Sequence, residues 1–364
     1  MRWSWIVLLG VVAAGVYAFF GSSEGGEGGA RTTPAADQKA QAEDLGLSTE
    51  EQKRESEAVQ LVSALDDPAQ AADPALWGRI LGEYGDTLAA RRAAYKKGVE
   101  LYQATPSMRE DRERRIAHLD RVRRLLSRGI NLPEMFQANG ADTAPRTRLI
   151  QVLTDANREV MTWPAGVPGV TRPYAVESGL APVNIVWRQQ VPAGVNAILF
   201  WNQGGNLDPR RLQAGQNLLL PLEPLRIEVL QDVHRLSLWI GDWFVKEFRI
   251  GVGKDESPTP VGTFRIVDKQ VNPPWTTTID GRKVVVPAGD PRNELGAVWM
   301  AIESPQWPRS AGFGIHGTIK PETVGSHCSN GCVRLRNDQA TEVFDWARRE
   351  GNGVAATEVT IRYK

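Results

Sequence analysis

His316 and Cys332 stand sixteen residues apart in a 364-residue chain that has only four histidines and two cysteines. Each sits beside glycine and leads into apolar residues, in Gly314-Ile315-His316-Gly317-Thr318 and in Ser329-Asn330-Gly331-Cys332-Val333-Arg334-Leu335. Strand ends can therefore bring imidazole and thiol together. A thiol attacks poorly until ionised; an adjacent imidazole lowers its pKa and carries protons to and from the reacting groups. Gly331 lets the chain turn tightly, which would leave the backbone N–H groups of Gly331 and Cys332 free to face a developing oxyanion. Arg334, two residues past the thiol, shares its face if the chain is extended there, and a planar guanidinium suits a carboxylate.

Two cysteines exclude a disulfide framework, so the thiols call for another explanation. One is burial as small hydrophobes; the glycine-rich, polar setting of Cys332 suits a reactive loop better. Cys328, four residues before it, could close a short bridge to Cys332 in an oxidising compartment and silence it.

The elements around these residues follow period two. Leu225, Ile227 and Val229 alternate with polar residues. The stretches Leu236 to Ile240 and Phe244 to Ile250 predict a hairpin turning at Gly241-Asp242. Short strands continue through Val284, Val285, Val286, Val298, Met300 and Ile302. A helical pattern returns only from Asp338 to Glu350, with Gly351 stopping it. This predicts a mostly-β domain, sandwich or barrel-like, with one late helix.

Upstream the composition changes twice. From about Gln38 to Arg128, apolar residues at three- and four-residue spacing (Val59, Leu61, Val62, Leu65; Leu76, Ile80, Leu81, Tyr84) predict a helical region, 38–132. Ser48-Thr49-Glu50-Glu51 offers a cap, and Asp66-Asp67-Pro68 another boundary. The basic stretch Arg109 to Arg128 could contact an anionic polymer, but with Glu110, Asp111, Glu113 and Asp120 interspersed it reads rather as a solvated helix face. Residues 21–37, rich in Gly, Ser, Glu and Thr, read as a flexible tether. Before it, Arg2 precedes an apolar run from Trp3 to Phe20 that approximates a bilayer's thickness. Positive charge at the amino end keeps that end in the cytoplasm and sends the rest outside. Val16-Tyr17-Ala18 is a poor cleavage site, which favours a retained membrane anchor at 1–20 over a cleaved signal. Acidic and basic residues balance at 43 each, and nothing in that charge argues for nucleic acid.

The two site segments resemble those of the YkuD-type L,D-transpeptidases, with a His-Gly-Thr segment followed by Ser-x-Gly-Cys and an apolar-Arg pair. Pro258-Thr259-Pro260-Val261-Gly262-Thr263-Phe264, Asn272-Pro273-Pro274-Trp275 and Asn293-Glu294-Leu295-Gly296 fall in that family's order, so the resemblance covers 225–364. It implies Cys332 as nucleophile and His316 as general base and acid. Ser329 and the Gly317 carbonyl would orient the site, Gly331 would shape the oxyanion pocket, and Arg334 would bind substrate. The chain departs from the family at Asn330, where many members have histidine; with Arg334 and His327, Asn330 is expected among the substrate-binding residues. His327, three residues earlier, is left either lining an acceptor pocket or bracing the loop. The implied substrate is the peptidoglycan stem peptide, with no metal and no cofactor. The same site resolved by water would be an L,D-carboxypeptidase, and an idle site would leave a membrane-tethered, cell-wall-binding scaffold.

A second resemblance covers 173–222. Tyr174 to Gly179, Phe200-Trp201-Asn202 and Leu212 to Pro221 are similar in order to LysM modules, small βααβ units that bind glycan strands, although Ser178-Gly179-Leu180 replaces the usual turn after the first strand. The expected whole is multidomain: anchor, tether, α-helical region, βααβ module and mostly-β catalytic domain, in the bacterial cell envelope outside the cytoplasm.

Overall fold

The computed structural model describes residues 48–108, 111–161, 163, 166–202, 207–279, 281–351 and 353–363. The expected anchor and tether, and the start of the expected helical region, lie outside them. No helix of the described residues is long and apolar enough to cross a membrane. The chain divides into two units, Met1–Gln137 with Asp142–Val152, and Ala138–Ala141 with Leu153–Lys364.

The first unit is helical: α1 (Thr49–Ser63), α2 (Pro68–Ala71), α3 (Pro74–Glu83), α4 (Leu88–Ala104) and α5 (Arg112–Ser127). Ser48 and Glu51 close a capping box on α1, satisfying two N–H groups that a helix start leaves open. Asp67 and Asp73 cap α2 and α3 in front of a first-turn proline. Small residues on α4, among them Ala90, Ala94 and Gly98, let α5 approach closely, with Leu126 against Gly98. The solvated face expected over Arg109 to Arg128 needs correction at one position. Arg123 is fully buried and is held by Asp120 at 2.6 Å, because Ile116, Leu119, Val122 and Leu126 bury the side of α5 on which it sits. A further helix, α6 (Ala144–Met161), follows in a stretch where the sequence patterns predicted nothing.

In the second unit β1 (Thr171–Ala175) pairs antiparallel with β2 (Asn217–Pro221), and α7 (Pro182–Arg188) and α8 (Val195–Trp201) lie between them in sequence. Val176, Ile185, Val186, Val191, Ile198, Leu207, Leu218 and Leu220 form the core of this βααβ segment. Asn202 fastens the end of α8 to β2: Nδ2 donates to the Leu219 carbonyl at 2.9 Å, and Oδ1 accepts from the Leu219 N–H at 2.8 Å.

The remainder is built on one eight-stranded sheet. Its members are β3 (Leu225–Leu230), β4 (Arg235–Ile240), β5 (Trp243–Arg249), β7 (Gly262–Val271), β10 (Val298–Glu303), β11 (Gly314–His316), β13 (Val333–Arg334) and β14 (Glu358–Arg362). They lie in the order β13-β11-β10-β7-β14-β3-β4-β5. The β4–β5 hairpin turns at Gly241 and Asp242, as the alternation predicts. Two small sheets flank the large one: β6 (Val252–Gly253) with β12 (His327–Ser329), and β8 (Trp275–Ile279) with β9 (Arg282–Val286). β14 runs parallel to β3 and antiparallel to β7, so it lies inside the sheet between them.

The late helix, α9 (Asn337–Trp346), stops five residues before Gly351. Its last carbonyls find partners off the helix axis: Lys269 Nζ donates to Phe344 and Ala347, and the Gly194 N–H to Trp346 at 2.7 Å. With those groups satisfied, the chain becomes extended at Ala347. Arg348 then turns inward, 3% exposed. It donates to the carbonyls of Val186 and Val191 at 3.1 and 2.6 Å and lies over the Trp187 ring. The βααβ segment is thereby fastened to the sheet domain by a buried, hydrogen-bonded guanidinium.

Candidate active site

Strand register brings two of the predicted residues, His316 and Arg334, side by side. His316 on β11 stands opposite Trp299 on β10 and Arg334 on β13. Side chains directly opposite across paired strands share a face and those one residue along point to the other. Trp299, His316 and Arg334 thus form one row, and Met300, Ile315 and Val333, all fully buried, form the next row on the opposite face. Lys269 is in register with Met300 and bonds α9, so α9 covers the Met300 face. Cys332 immediately precedes β13, and its sulfur lies by the Gly314 N–H, at the start of the strand that ends in His316. A side chain on Gly314 would collide with the Trp299 indole.

His316 is 2% exposed. Its Nδ1 lies 2.6 Å from the Gly317 carbonyl. A carbonyl only accepts, so Nδ1 carries the proton and Nε2 is the basic nitrogen. Burial and the positive charge of Arg334 together lower the imidazole pKa to about 4, against a smaller raising pull from the Gly317 and Leu295 carbonyls and from Glu294. Cys332 is half-buried as a residue, and its thiol lies 3.6 Å from the Gly312 carbonyl. Burial of its sulfur pushes its pKa up, opposed by the Gly314 N–H and by Arg334. At neutral pH the resting pair is therefore neutral thiol and neutral imidazole.

The turn carrying the sulfur is tied by Ser329, which is 1% exposed. Its hydroxyl donates to the Cys332 carbonyl at 2.6 Å and accepts from the Gly331 N–H at 3.1 Å. That corrects one expectation: the Gly331 N–H is spent on the turn and is not free for an oxyanion. Gly331 earns its place through conformation, at φ +107° with the Phe313 ring where a Cβ would stand. Asn330 is exposed at the tip. His327 braces the loop: its Nδ1 meets the Gly253 carbonyl at 2.9 Å, and its ring packs edge-on against His234 at 4.9 Å. Cys328 packs against Gly251, and both cysteines are free thiols, so the bridge that their spacing allows is not formed.

Arg334 is already paired, its Nη2 3.2 Å from Glu294, whose other oxygen accepts from Lys320 Nζ at 2.6 Å. Asn337 was also missed in the sequence. Its Oδ1 accepts from the Ala297 and Thr318 N–H groups at 3.0 and 3.1 Å, clamping the Glu294-to-Ala297 segment to the strand end that carries His316. The sole prior signal for Glu294 was its place in the Asn-Glu-Leu-Gly segment; for Asn337 there was none beyond the start of a helix. Among the described residues no group of three or more His, Cys, Asp and Glu is arranged to hold a metal ion.

A family model for the L,D-transpeptidase catalytic domain, YkuD, matches residues 224–361. The chain is 32% identical over 153 residues to "Putative L,D-transpeptidase YkuD" of Bacillus licheniformis, covering 40% of this chain and 77% of that protein. It is 35% identical over 125 residues to "Putative L,D-transpeptidase YqjB" of Bacillus subtilis, covering 34% of this chain and 66% of that protein. Among solved structures, the catalytic domain of an Enterococcus faecium L,D-transpeptidase matches 39% of this chain and 98% of its own length, at 22% identity and a TM-score of 0.30.

Proposed function

The chain belongs to the YkuD family of L,D-transpeptidases, and we propose that it cross-links or remodels peptidoglycan stem peptides through a thioester on Cys332. In this reading His316 Nε2 takes the thiol proton as Cys332 Sγ attacks the carbonyl of the third, diamino-acid residue of a donor tetrapeptide. The amide bond to the terminal D-alanine breaks, and the imidazolium returns the proton to the departing amine. An amine of a second stem then attacks the thioester, forming the new amide and releasing the sulfur. The thioester conserves the free energy of the broken amide, so no nucleotide is consumed. Arg334 holds a donor carboxylate, and the Cys332 N–H faces the oxyanion.

The observation that carries this reading is the parallel register of β11 and β13, which sets Arg334, two residues past Cys332, opposite His316, with Nδ1 of the imidazole committed to Gly317. We place the protein in the cell envelope, with residues 1–20 as its export signal or anchor, and assign the βααβ segment to glycan binding in the manner of LysM modules. The strand-helix-helix-strand order with its own core supports that assignment.

Incubating the full-length protein with purified muropeptides and reading the products by mass spectrometry tests it. Cross-linked dimers support transpeptidation. Tripeptides without dimers indicate water as the acceptor, an L,D-carboxypeptidase. No change would leave the wall-binding scaffold. Cys332→Ala should abolish every product, and persistence of product in that variant would remove Cys332 as nucleophile.

A further inference from the structure

Glu294 joins two cations that lie 40 and 26 residues from it in sequence, Arg334 and Lys320. The two contacts are unequal. Lys320 has half its side chain in solvent, so its share is screened, whereas the Arg334 side chain is 11% exposed and Glu294 23%. Arg334 is held through Nη2; its Nε is sealed from solvent and has no hydrogen-bond partner among the described residues. A buried donor in that condition is costly. Arg334 shares the His316 face, so this donor belongs to the surroundings of the sulfur and imidazole.

Resting on the function proposed above, we propose that Glu294 is a specificity-determining residue that sets how strongly the site favours a donor peptide with a carboxylate beside the bond that Cys332 attacks. Two cations and one carboxylate leave one net positive charge and one unsatisfied guanidinium N–H. That matches a donor with a single negative charge there. Glu294 competes with such a donor for Arg334, and it also keeps the site from an excess of positive charge that would hold any anion indiscriminately.

The experiment compares two donor tetrapeptides that differ only in a carboxylate or a carboxamide on the terminal D-alanine, next to the bond that is cut, using full-length wild-type protein and the Glu294→Gln and Glu294→Asp variants. Glutamine keeps the shape and removes the charge. The ratio of kcat/KM for carboxylate over carboxamide should rise about tenfold in Glu294→Gln, through a lower KM for the carboxylate donor with kcat little changed. Glu294→Asp, which keeps the charge, should hold the wild-type ratio. A purely structural role would lower both donors together, and an unchanged ratio in Glu294→Gln would overturn the proposal. Wild-type protein that turns over neither donor would overturn the transpeptidase reading and this inference with it; a working wild type with an unchanged ratio removes the inference alone.

Discussion

Arg334 stands opposite His316 in the parallel register of β11 and β13, which sets a fixed positive charge beside the base that must become positive. The same charge favours the Cys332 thiolate. Its two effects oppose each other in an imidazolium–thiolate pair, and burial disfavours both charged forms. The attack therefore starts from neutral partners, with the proton moving as the sulfur bonds.

Alkylation of Cys332 by iodoacetamide should accordingly follow the thiol's own ionisation. In a Cys328→Ser background, the rate should increase with pH through neutrality and still be climbing at pH 9. A plateau between about pH 5 and 8 is the mark of a preformed ion pair, and finding one would refute the neutral resting state.

Removing the guanidinium charge should move both groups in one direction. In Arg334→Gln the imidazolium loses a repulsive neighbour and the thiolate an attractive one, so both pKa values go up. The His316 ring resonances should titrate above the wild-type value of about 4, and Cys332 alkylation at pH 7 should slow. An NMR titration of His316 that stays put would show that burial alone sets its pKa.

Ser329 and Asn330 are sequence neighbours with opposite expected sensitivities. Ser329→Ala strips partners from the Cys332 carbonyl and the Gly331 N–H in a buried turn, a loss of about 1–3 kcal/mol in stability, with thioester formation slowed because the sulfur is no longer fixed. Asn330→Ala, at an exposed tip, should stay within about 0.5 kcal/mol of wild type. Denaturant titration and acylation rates read both, and equal effects would contradict the assigned role of Ser329.

The sequence made His316, Cys332 and the β4–β5 hairpin legible because each rests on local pattern: a motif flanked by glycine, or alternation around Gly241-Asp242. Glu294 and Asn337 were not legible in the same way. Their roles exist only after β10 and β11 pair and α9 packs on the sheet, bringing together residues 40 positions apart. The Gly331 N–H was misjudged for a related reason: a free donor in a glycine turn is the default, and Ser329 two residues earlier consumes it. Gly351 predicts a helix stop there; Lys269 and Gly194, from distant elements, end the helix earlier by taking its carbonyls.

Asn337→Ala should leave the Ala297 and Thr318 N–H groups without their acceptor and loosen the segment beside His316. We expect a loss of about 1–2 kcal/mol and reduced kcat. Asn337→Asp keeps an acceptor at the first residue of α9, where a negative charge is favoured, and should retain both stability and turnover. If the two variants fail alike, the side-chain oxygen is not what matters there.

Lys269 makes the stability of the α9 contact depend on alkaline pH. Its ammonium donates to the Phe344 and Ala347 carbonyls and faces the Phe344 ring, and burial lowers its pKa from 10.5 to about 8, with Asp345 pulling up and Arg349 down. A lysine whose folded pKa lies below its unfolded value releases its proton first in the folded state. Between about pH 8 and 10.5 the unfolded chain then binds more protons, so this residue's contribution to stability rises with pH, and it is flat below pH 8. The full span is about 3 kcal/mol. Tyr84 and Tyr95, whose pKa values are raised, act in the opposite sense above pH 10, so the readout is the difference between wild type and Lys269→Met in denaturant titrations from pH 7 to 10. That difference should shift in favour of wild type as pH rises; a constant difference would mean that the buried amine does not titrate in this range.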